Sequence, residues 1–192
     1  MSNLANNNPK IFLISGPSGV GKDTIINEIK TLFKELHFVV TAVTRDRRSD
    51  EKEGVNHFFV SENQFKEMID NDELIEWSKV YKNYYGVPKS QITIPTSEGK
   101  SVLLRVDVQG AQKIKQIIPE VISIFIKPEN LQLIKKHLSS RGENSEAEIK
   151  RRMEAARNEL KLSSSFEYAI TNQEGNIGYV INEVKDIINK NL

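Results

Sequence analysis

A glycine-rich segment near the start of the chain, residues 16–24, reads GPSGVGKDT and limits the possible folds more than any other part of the sequence. Two glycines separated by four residues and followed by lysine are typical of a loop that holds nucleotide phosphates. Glycine lets the backbone curl around an anion with its N–H groups turned inward, and the start of a helix adds its positive dipole end. Lys22 would supply a mobile positive charge to the outer phosphates.

The surroundings of this segment favour a phosphate loop over the alternative, a strand-to-helix turn that binds nothing. A strand-like apolar run, 11–14, comes before it, and apolar residues at helical spacing follow in 24–33. One position departs from the usual pattern, because Asp23 stands where serine or threonine is expected after the lysine.

Composition narrows the class of protein further. The chain has 192 residues, enough for one α/β domain with an inserted subdomain, and its net charge of +1 gives no general attraction to nucleic acid or membranes. It contains no cysteine, which excludes disulfides and thiolate metal sites and fits a reducing compartment. Residues 1–8 are polar and lack the order of a secretory signal. We therefore expect a cytoplasmic protein with neither a nucleic-acid nor a membrane partner.

Strand-like and helix-like segments alternate along the chain, which predicts an α/β fold with a parallel sheet and helices on both faces. The predicted strands are 11–15, 38–43, 102–106, 121–126 and 168–171. The predicted helices are 24–35, 109–118, 129–139, 145–162 and 177–189.

Two charged segments break this alternation. From about 44 to 87 a charged loop is followed by strand-like 57–60, a helix near 62–71 and strand-like pieces 74–80 and 84–87, which indicates a small mixed α+β insertion. The second charged segment is 140–152. Both are candidates for mobile lids, because phosphoryl transfer requires that water be excluded.

These charged segments carry arginines suited to phosphoryl transfer, which depends mainly on positioning and charge neutralisation. Arg45 and Arg48 lie in the first segment, and Arg141 and Arg152 flank the core of the second. The planar guanidinium fork matches phosphate, although each arginine alone is also compatible with an ordinary solvated charge. Asp107 ends the apolar run 102–106, where a carboxylate either helps to hold Mg²⁺ or simply closes a turn.

Taken together, the chain resembles the guanylate kinase family from about residue 9 to residue 192. The matching pieces occur in the family's order and spacing: Ser15 to Lys22, Thr44-Arg45 with Arg48 and Glu51, Leu74-Ile75-Glu76-Trp77, Asn83-Tyr84-Tyr85-Gly86, Asp107 to Ala111, Arg141-Gly142 and Arg152-Met153. The resemblance implies a kinase that transfers the γ-phosphoryl group of ATP to GMP with Mg²⁺, in purine nucleotide metabolism. It leaves open whether the chain is a monomer or a homodimer.

The resemblance also implies a division into parts. Residues 10–43 and 88–192 would form the phosphate-loop core, with a helical lid at about 140–155. Residues 44–87 would form the insertion that binds GMP, and residues 1–9 a disordered tail.

The site residues follow from the same resemblance. Glu76 would accept hydrogen bonds from the guanine N1–H and amino group, a paired donor edge that adenine lacks, and Asp107 would assist it on the base or metal side. The catalytic residues would be Lys22, Arg45, Arg141 and Arg152. The ATP site would comprise Gly16, Pro17, Ser18, Gly19, Val20, Gly21, Lys22, Asp23, Thr24 and Asn172. The GMP site would comprise Thr41, Arg45, Arg48, Glu51, His57, Glu76, Tyr85 and Asp107. Asp23 and Asp107 would contact the metal, directly or through water.

The chain departs from the family pattern at several of these positions. Asp23 replaces the usual serine, threonine or glycine, and Arg105 replaces an acidic residue; we hypothesise that the two form a swapped ion pair, as opposed to two independent changes. His57 replaces a phosphate-binding tyrosine, yet can still donate to phosphate, most readily when protonated. Val87 replaces a hydroxyl donor to the base, so a weakened guanine preference is expected.

Two other functions remain as alternatives. Ribose 1,5-bisphosphate kinases share this fold, the Gly-Lys-Asp loop and a valine after Tyr-Tyr-Gly, but such an acceptor has no base to require Glu76 and Asp107. Non-catalytic guanylate-kinase-like modules generally lose the phosphate loop and its lysine, both of which are present here.

Overall fold

A computed structural model describes residues 8–49, 51–80, 82–140 and 145–192 of the chain. The strands are β1 (Ile11–Ser15), β2 (His37–Phe38), β3 (Thr41–Val43), β4 (His57–Phe59), β5 (Leu74–Val80), β6 (Asn83–Pro88), β7 (Val102–Arg105), β8 (Ile122–Pro128) and β9 (Tyr168–Asn172). The α-helices are α1 (Lys22–Leu32), α2 (Glu62–Asp70), α3 (Ser90–Ser97), α4 (Val108–Ile117), α5 (Leu131–Ser140), α6 (Glu146–Lys161) and α7 (Ile177–Asn191).

The larger sheet has the order β2-β7-β1-β8-β9, and every neighbouring pair in it is parallel. Successive strand residues point to opposite faces, so Phe12 and Ile14 pack with α1 and α7, while Leu13 packs with α4. All three side chains are fully buried, as expected for a parallel sheet covered on both faces. The predicted α/β fold is confirmed.

The smaller sheet has the order β4-β3-β6-β5 and is mixed. Strand β3 runs parallel to β4 and antiparallel to β6, and β5 is antiparallel to β6. A separate small core of Ala42, Phe65 and Leu74 lies between this sheet and α2. Because α2 begins with a capping box of Ser61 and Gln64, its predicted start near residue 62 is confirmed.

The prediction of a single strand over residues 38–43 is wrong. Residues 37–38 belong to the larger sheet and 41–43 to the smaller one, and Val39 and Val40 connect them. The Val39 N–H donates to Leu103 and the Val40 N–H to the Gln91 side chain. Local hydrophobicity cannot reveal this division, because both halves are apolar and their partners are distant in sequence.

Helix α3 was not predicted. It is short, contains Pro95 within its length, and buries Ile92 and Pro95 rather than a regular stripe. Predicted ends of the other helices are displaced by a few residues, as is usual for boundaries.

The segment around the predicted lid is described in part. Residues 141–144 lie outside the described residues, and α6 starts with a capping box of Ser145 and Glu148. Helices α5 and α6 pack through Ile134, Leu138 and Ala156. Within the described ranges, no helix combines the length and apolar character needed to cross a membrane. The division of the chain into a core and an insertion, at 43/44 and 87/88, stays a prediction. Strand β3 precedes the first of these boundaries, although it belongs to the smaller sheet.

Candidate active site

The phosphate-loop segment joins β1 to α1. Gly16 has φ +146°, and a Cβ there would lie 2.3 Å from the carbonyl oxygen of Ile126 on β8, so only glycine fits this approach. Gly21 precedes α1 in a left-handed conformation. The Nζ of Lys22 donates to the carbonyl oxygens of Gly16, at 2.5 Å, and Pro17, at 3.0 Å. The lysine ammonium therefore folds back over the loop, where a phosphate group would meet it.

Asp23 and Arg105 form an ion pair between Oδ1 and Nη1, which confirms the hypothesis that these two residues pair. Asp23 lies in the first turn of α1, where the helix dipole favours a negative charge. Arg105 ends β7 and lies opposite Ile14 of β1 in the parallel register. Burial lowers the pKa of Arg105, but a guanidinium remains charged in a protein. The pair thus joins the phosphate loop to the strand that leads to Asp107.

A cavity of about 420 Å³ lies beside the loop on the side of β9. Asn172, at the end of β9, donates from Nδ2 to the carbonyl oxygen of Val20 at 2.8 Å. Its Oδ1 is buried and accepts no hydrogen bond from the described residues. This volume is within the range of small-molecule sites. Among the residues that line it are Gly19, Val20, Gly21, Thr24, Asn172 and Ile177.

Arg45 and Glu51 form a two-bond ion pair in the charged loop after β3. Glu51 accepts from the Arg45 guanidinium at 2.5 and 2.6 Å and from the Arg48 backbone N–H at 3.0 Å. These hydrogen bonds, led by those from Arg45, lower the pKa of Glu51 to about 2. The same contact with Glu51 raises the pKa of Arg45, as does the neighbouring Tyr85. The structure therefore brings four of the predicted acceptor residues together.

His57 lies next to this group but is enclosed. It is 7% exposed, and its Nδ1 forms a 2.7 Å hydrogen bond with the hydroxyl of Thr41. Burial, followed by the charge of Arg45, lowers its pKa to about 4. His57 is therefore neutral near pH 7, and the expected donation from a protonated ring does not hold in this structure.

Glu76, on β5, places a buried carboxylate against helix α4. A register irregularity between Leu74 and Glu76 marks this part of β5, and Val87 lies opposite Glu76 on β6. Val87 itself is fully buried in the apolar core. Burial raises the pKa of Glu76 to about 7, and its Oε2 accepts no hydrogen bond from the described residues. The ion-pair distance from Oε2 to the Nζ of Lys113 is 3.5 Å.

Helix α4 forms the other wall of this pocket. Asp107 caps the helix, and its Oδ1 accepts from the Gly110 N–H at 2.7 Å. Its Oδ2 accepts from the Ser78 hydroxyl at 3.4 Å. A Cβ on Gly110 would lie 2.6 Å from Glu76 Oε1 and 3.4 Å from Asp107 Oδ1. The absence of a side chain at Gly110 thus allows two carboxylates to approach one point.

The two predicted metal ligands do not form a metal cage by themselves. Asp23 is paired with Arg105, and both oxygens of Asp107 accept hydrogen bonds. In the part of the chain that the structure describes, no group of three or more histidine, aspartate or glutamate side chains is arranged to hold a metal. This donor set fits Mg²⁺ only when nucleotide phosphates and water provide most of the ligands, which is the usual arrangement for this ion.

The structure describes one of the two predicted lid arginines. Arg152 lies on α6, whereas Arg141 lies outside the described residues. Glu159, also on α6, was missed from the sequence. The pKa of Glu159 is raised, because the effect of burial exceeds the opposing effect of the positive charge of Lys22. That electrostatic effect shows that α6 brings a carboxylate towards the phosphate-loop lysine.

Lys113 and Ser78 were also missed. The sequence does contain a signal for Lys113. It lies three residues after Gly110, which belongs to one of the motifs that match the family, and residues three apart share one face of a helix. Ser78 had a comparable signal, since it follows Glu76 on the same face of a strand.

Comparisons with known proteins agree with this arrangement. The model of the family described as guanylate kinase matches residues 8–191. A guanylate kinase of Caldanaerobacter subterraneus is 39% identical over 178 residues, which cover 93% of this chain and 85% of the relative. A guanylate kinase of Prochlorococcus marinus is 38% identical over 179 residues, which cover 93% and 96%.

The crystal structure of guanylate kinase from Anaplasma phagocytophilum superposes with a TM-score of 0.79 at 28% identity, covering 96% of this chain and 86% of that one. The family match spans almost the entire described length and includes both sheets. The chain belongs to the guanylate kinase family.

Proposed function

We propose that this chain transfers the γ-phosphoryl group of ATP to GMP, giving ADP and GDP. The observation that carries the proposal is the pair of carboxylates, Glu76 and Asp107, on either side of Gly110. Guanine presents two adjacent donors, N1–H and the 2-amino group, and a carboxylate accepts both. Adenine has an unprotonated N1 and lacks the 2-amino group, so it does not match this acceptor pair.

ATP is proposed to bind with its phosphates on the loop 16–24 and its base towards Asn172. Two observations support this position for the phosphates. Gly16 lies too close to β8 to carry a side chain, and the Lys22 ammonium folds back over the loop to bond the Gly16 carbonyl oxygen. The unpartnered Oδ1 of Asn172, beside the cavity, supports the base position, because an exocyclic amine is a suitable donor to it.

The GMP phosphate is proposed to bind at Arg45, Arg48 and Tyr85, with Thr41, Glu51 and His57 arranged around them. The bidentate contact of Glu51 with Arg45 fixes the direction of that guanidinium before any substrate arrives. His57, being neutral, offers hydrogen bonding and no charge.

In the reaction, an oxygen of the GMP phosphate attacks the γ-phosphorus of ATP, and the bond from that phosphorus to the β-bridging oxygen breaks. Lys22, Arg45, Arg141 and Arg152 are proposed to neutralise the charge that spreads over the transferring group. A bound Mg²⁺ would be held in part by Asp23 and Asp107, directly or through water, and would supply positive charge that adds to this neutralisation. Residues 44–87 and about 140–155 are proposed to close over the substrates and exclude water.

The test is an assay of ADP release with Mg-ATP and, separately, GMP, dGMP, IMP, AMP, UMP and ribose 1,5-bisphosphate. GMP is expected to be the best acceptor, and Lys22→Met, which keeps the length of the side chain but removes its charge, is expected to abolish turnover. No turnover of GMP would contradict the proposal, and preferential turnover of ribose 1,5-bisphosphate would assign the chain to the rival acceptor.

A further inference from the structure

Lys113, on α4, lies beside Glu76 although no motif in the sequence includes it. Its Nζ is 3.5 Å from Glu76 Oε2 and donates to the backbone carbonyl of Trp77. The lysine side chain is 50% exposed, whereas that of Glu76 is 4% exposed. The ammonium therefore remains hydrated while it lies against a carboxylate that has lost its water.

This placement matters because a dehydrated carboxylate needs a compensating charge to remain ionised. The charged groups that face Glu76 are Lys113 and Asp107, both supplied by α4 and its cap. The charge of Lys113 favours the ionised form of Glu76, and the charge of Asp107 opposes it. Without the lysine, two carboxylates would share the pocket with no cation at this position.

Helix geometry gives Gly110 and Lys113 complementary roles. They are three residues apart and so share one face of α4. Gly110 provides the space that Oε1 occupies, and Lys113 provides a positive charge next to Oε2. The bond from Lys113 to the Trp77 carbonyl anchors the ammonium to the strand that carries Glu76.

We infer that Lys113 is a positioning residue for base selection: it holds the Glu76 carboxylate in place and favours its ionised form, so that both oxygens accept from a base with two adjacent N–H donors. This inference rests on the proposed function, because it concerns the same acceptor pocket. It concerns the binding of the base alone, since Lys113 lies on the face of α4 towards Glu76 rather than at the phosphate loop.

The test compares Lys113→Met, which keeps the aliphatic stem, with Lys113→Arg, which keeps the charge. In Lys113→Met we expect KM for GMP to rise about five- to tenfold, with kcat and KM for ATP within about twofold of the unmodified enzyme. Lys113→Arg is expected to restore KM for GMP to within about twofold. Calorimetric binding of GMP without ATP should show the same loss in Kd.

Lys115→Met is the matched control. Lys115 lies on the same helix, donates to the backbone of Ser165 and lies over the Phe166 ring, away from Glu76, so its removal should leave KM for GMP unchanged. Lys113→Met should raise KM for IMP, which lacks the 2-amino donor, by a smaller factor than it raises KM for GMP.

An unchanged or lower KM for GMP in Lys113→Met would overturn the inference, as would an equal rise in KM for ATP or a failure of arginine to restore binding. The outcome is separable from that of the proposed function. If the unmodified enzyme turns over GMP and Lys113→Met behaves identically, only the role of Lys113 fails; if the unmodified enzyme does not turn over GMP, both fail.

Discussion

Asp23 and Arg105 form an ion pair that ties the first turn of α1 to the end of β7. The aspartate side chain is 60% exposed and the arginine side chain 28%, so the arginine is the more buried member and the contact is partly open to solvent. One member carries a negative charge and the other a positive charge. Either residue alone would leave an unbalanced charge beside the phosphate loop, and together they cancel.

A double-mutant cycle should reveal this coupling. Asp23→Ser and Arg105→Glu, singly and together, are expected to be non-additive in kcat/KM for ATP, with a coupling on the order of 1 kcal/mol. The double variant should be more active than Arg105→Glu alone, because that single change places two carboxylates side by side. Additive losses would show that the two residues act independently. The exposed pair Lys66–Glu62 is the control, for which a smaller coupling is expected.

Gly110→Ala should weaken GMP binding more than it changes stability. Its Cβ would lie 2.6 Å from Glu76 Oε1 and 3.0 Å from Cδ, so the carboxylate must move. Alanine is favoured over glycine in a helix by about 1 kcal/mol, which offsets part of the steric cost. We expect KM for GMP to rise at least about tenfold, measured by steady-state kinetics. In Gly178→Ala, on α7, the new Cβ would meet no atom within 4 Å apart from its chain neighbours and the backbone of its own helix, so this variant should raise Tm without affecting KM.

The affinity for GMP should depend on the ionisation of Glu76. Burial raises its pKa to about 7, so its protonated form accumulates as pH falls below 7. The protonated acid presents a hydrogen atom to the donor edge of guanine, and KM for GMP is therefore expected to rise by up to about tenfold for each pH unit below 7. In Glu76→Gln this dependence should disappear. An unchanged pH profile in that variant would show that another group is responsible.

Stability should increase with pH between about 4 and 6.5 because of His57. Its folded pKa is about 4, below the ordinary value of 6.5, so the unfolded chain binds more protons in this interval. The contribution is fully present above 6.5 and is lost as pH falls towards 4. It amounts to roughly 2 kcal/mol, since a tenfold change in proton affinity corresponds to about 1.4 kcal/mol and partial solvent access reduces the total.

Urea unfolding at pH 7, 5.5 and 4.5 measures this contribution. His57→Gln keeps a polar side chain at this position but does not titrate, so its free energy of unfolding should fall less steeply with acidification than that of the unmodified chain. Parallel curves for the two proteins would exclude His57 as the source.

The features predicted correctly from sequence are those set by local patterns. The strand at Ile11–Ser15 and the loop after it follow from a short apolar run and glycine spacing. The Asp23–Arg105 pair was predicted because the resemblance placed the loop and the strand side by side, and parallel registration of β1 with β7 bears this out.

The features that were missed depend on contacts between distant segments. Nothing local to residues 38–43 indicates that the chain leaves one sheet and enters another there. Likewise, Lys113 has the sequence appearance of an ordinary surface lysine, and only the fold brings it within 3.5 Å of Glu76. The low pKa of His57 is also a consequence of enclosure, which no pattern along the chain expresses.

Trp77 gives this enzyme an internal optical signal. It is the single tryptophan of the chain, it is 38% exposed, and it follows Glu76 directly. Its ring lies 5.8 Å from the Lys113 ammonium and 6.0 Å from the Tyr84 ring. Indole emission responds to nearby charge, so intrinsic fluorescence excited at the tryptophan is expected to report on changes around the Lys113 ammonium, which lies beside Glu76. A rearrangement of Lys113 on ligand binding can therefore be followed in real time without any attached dye.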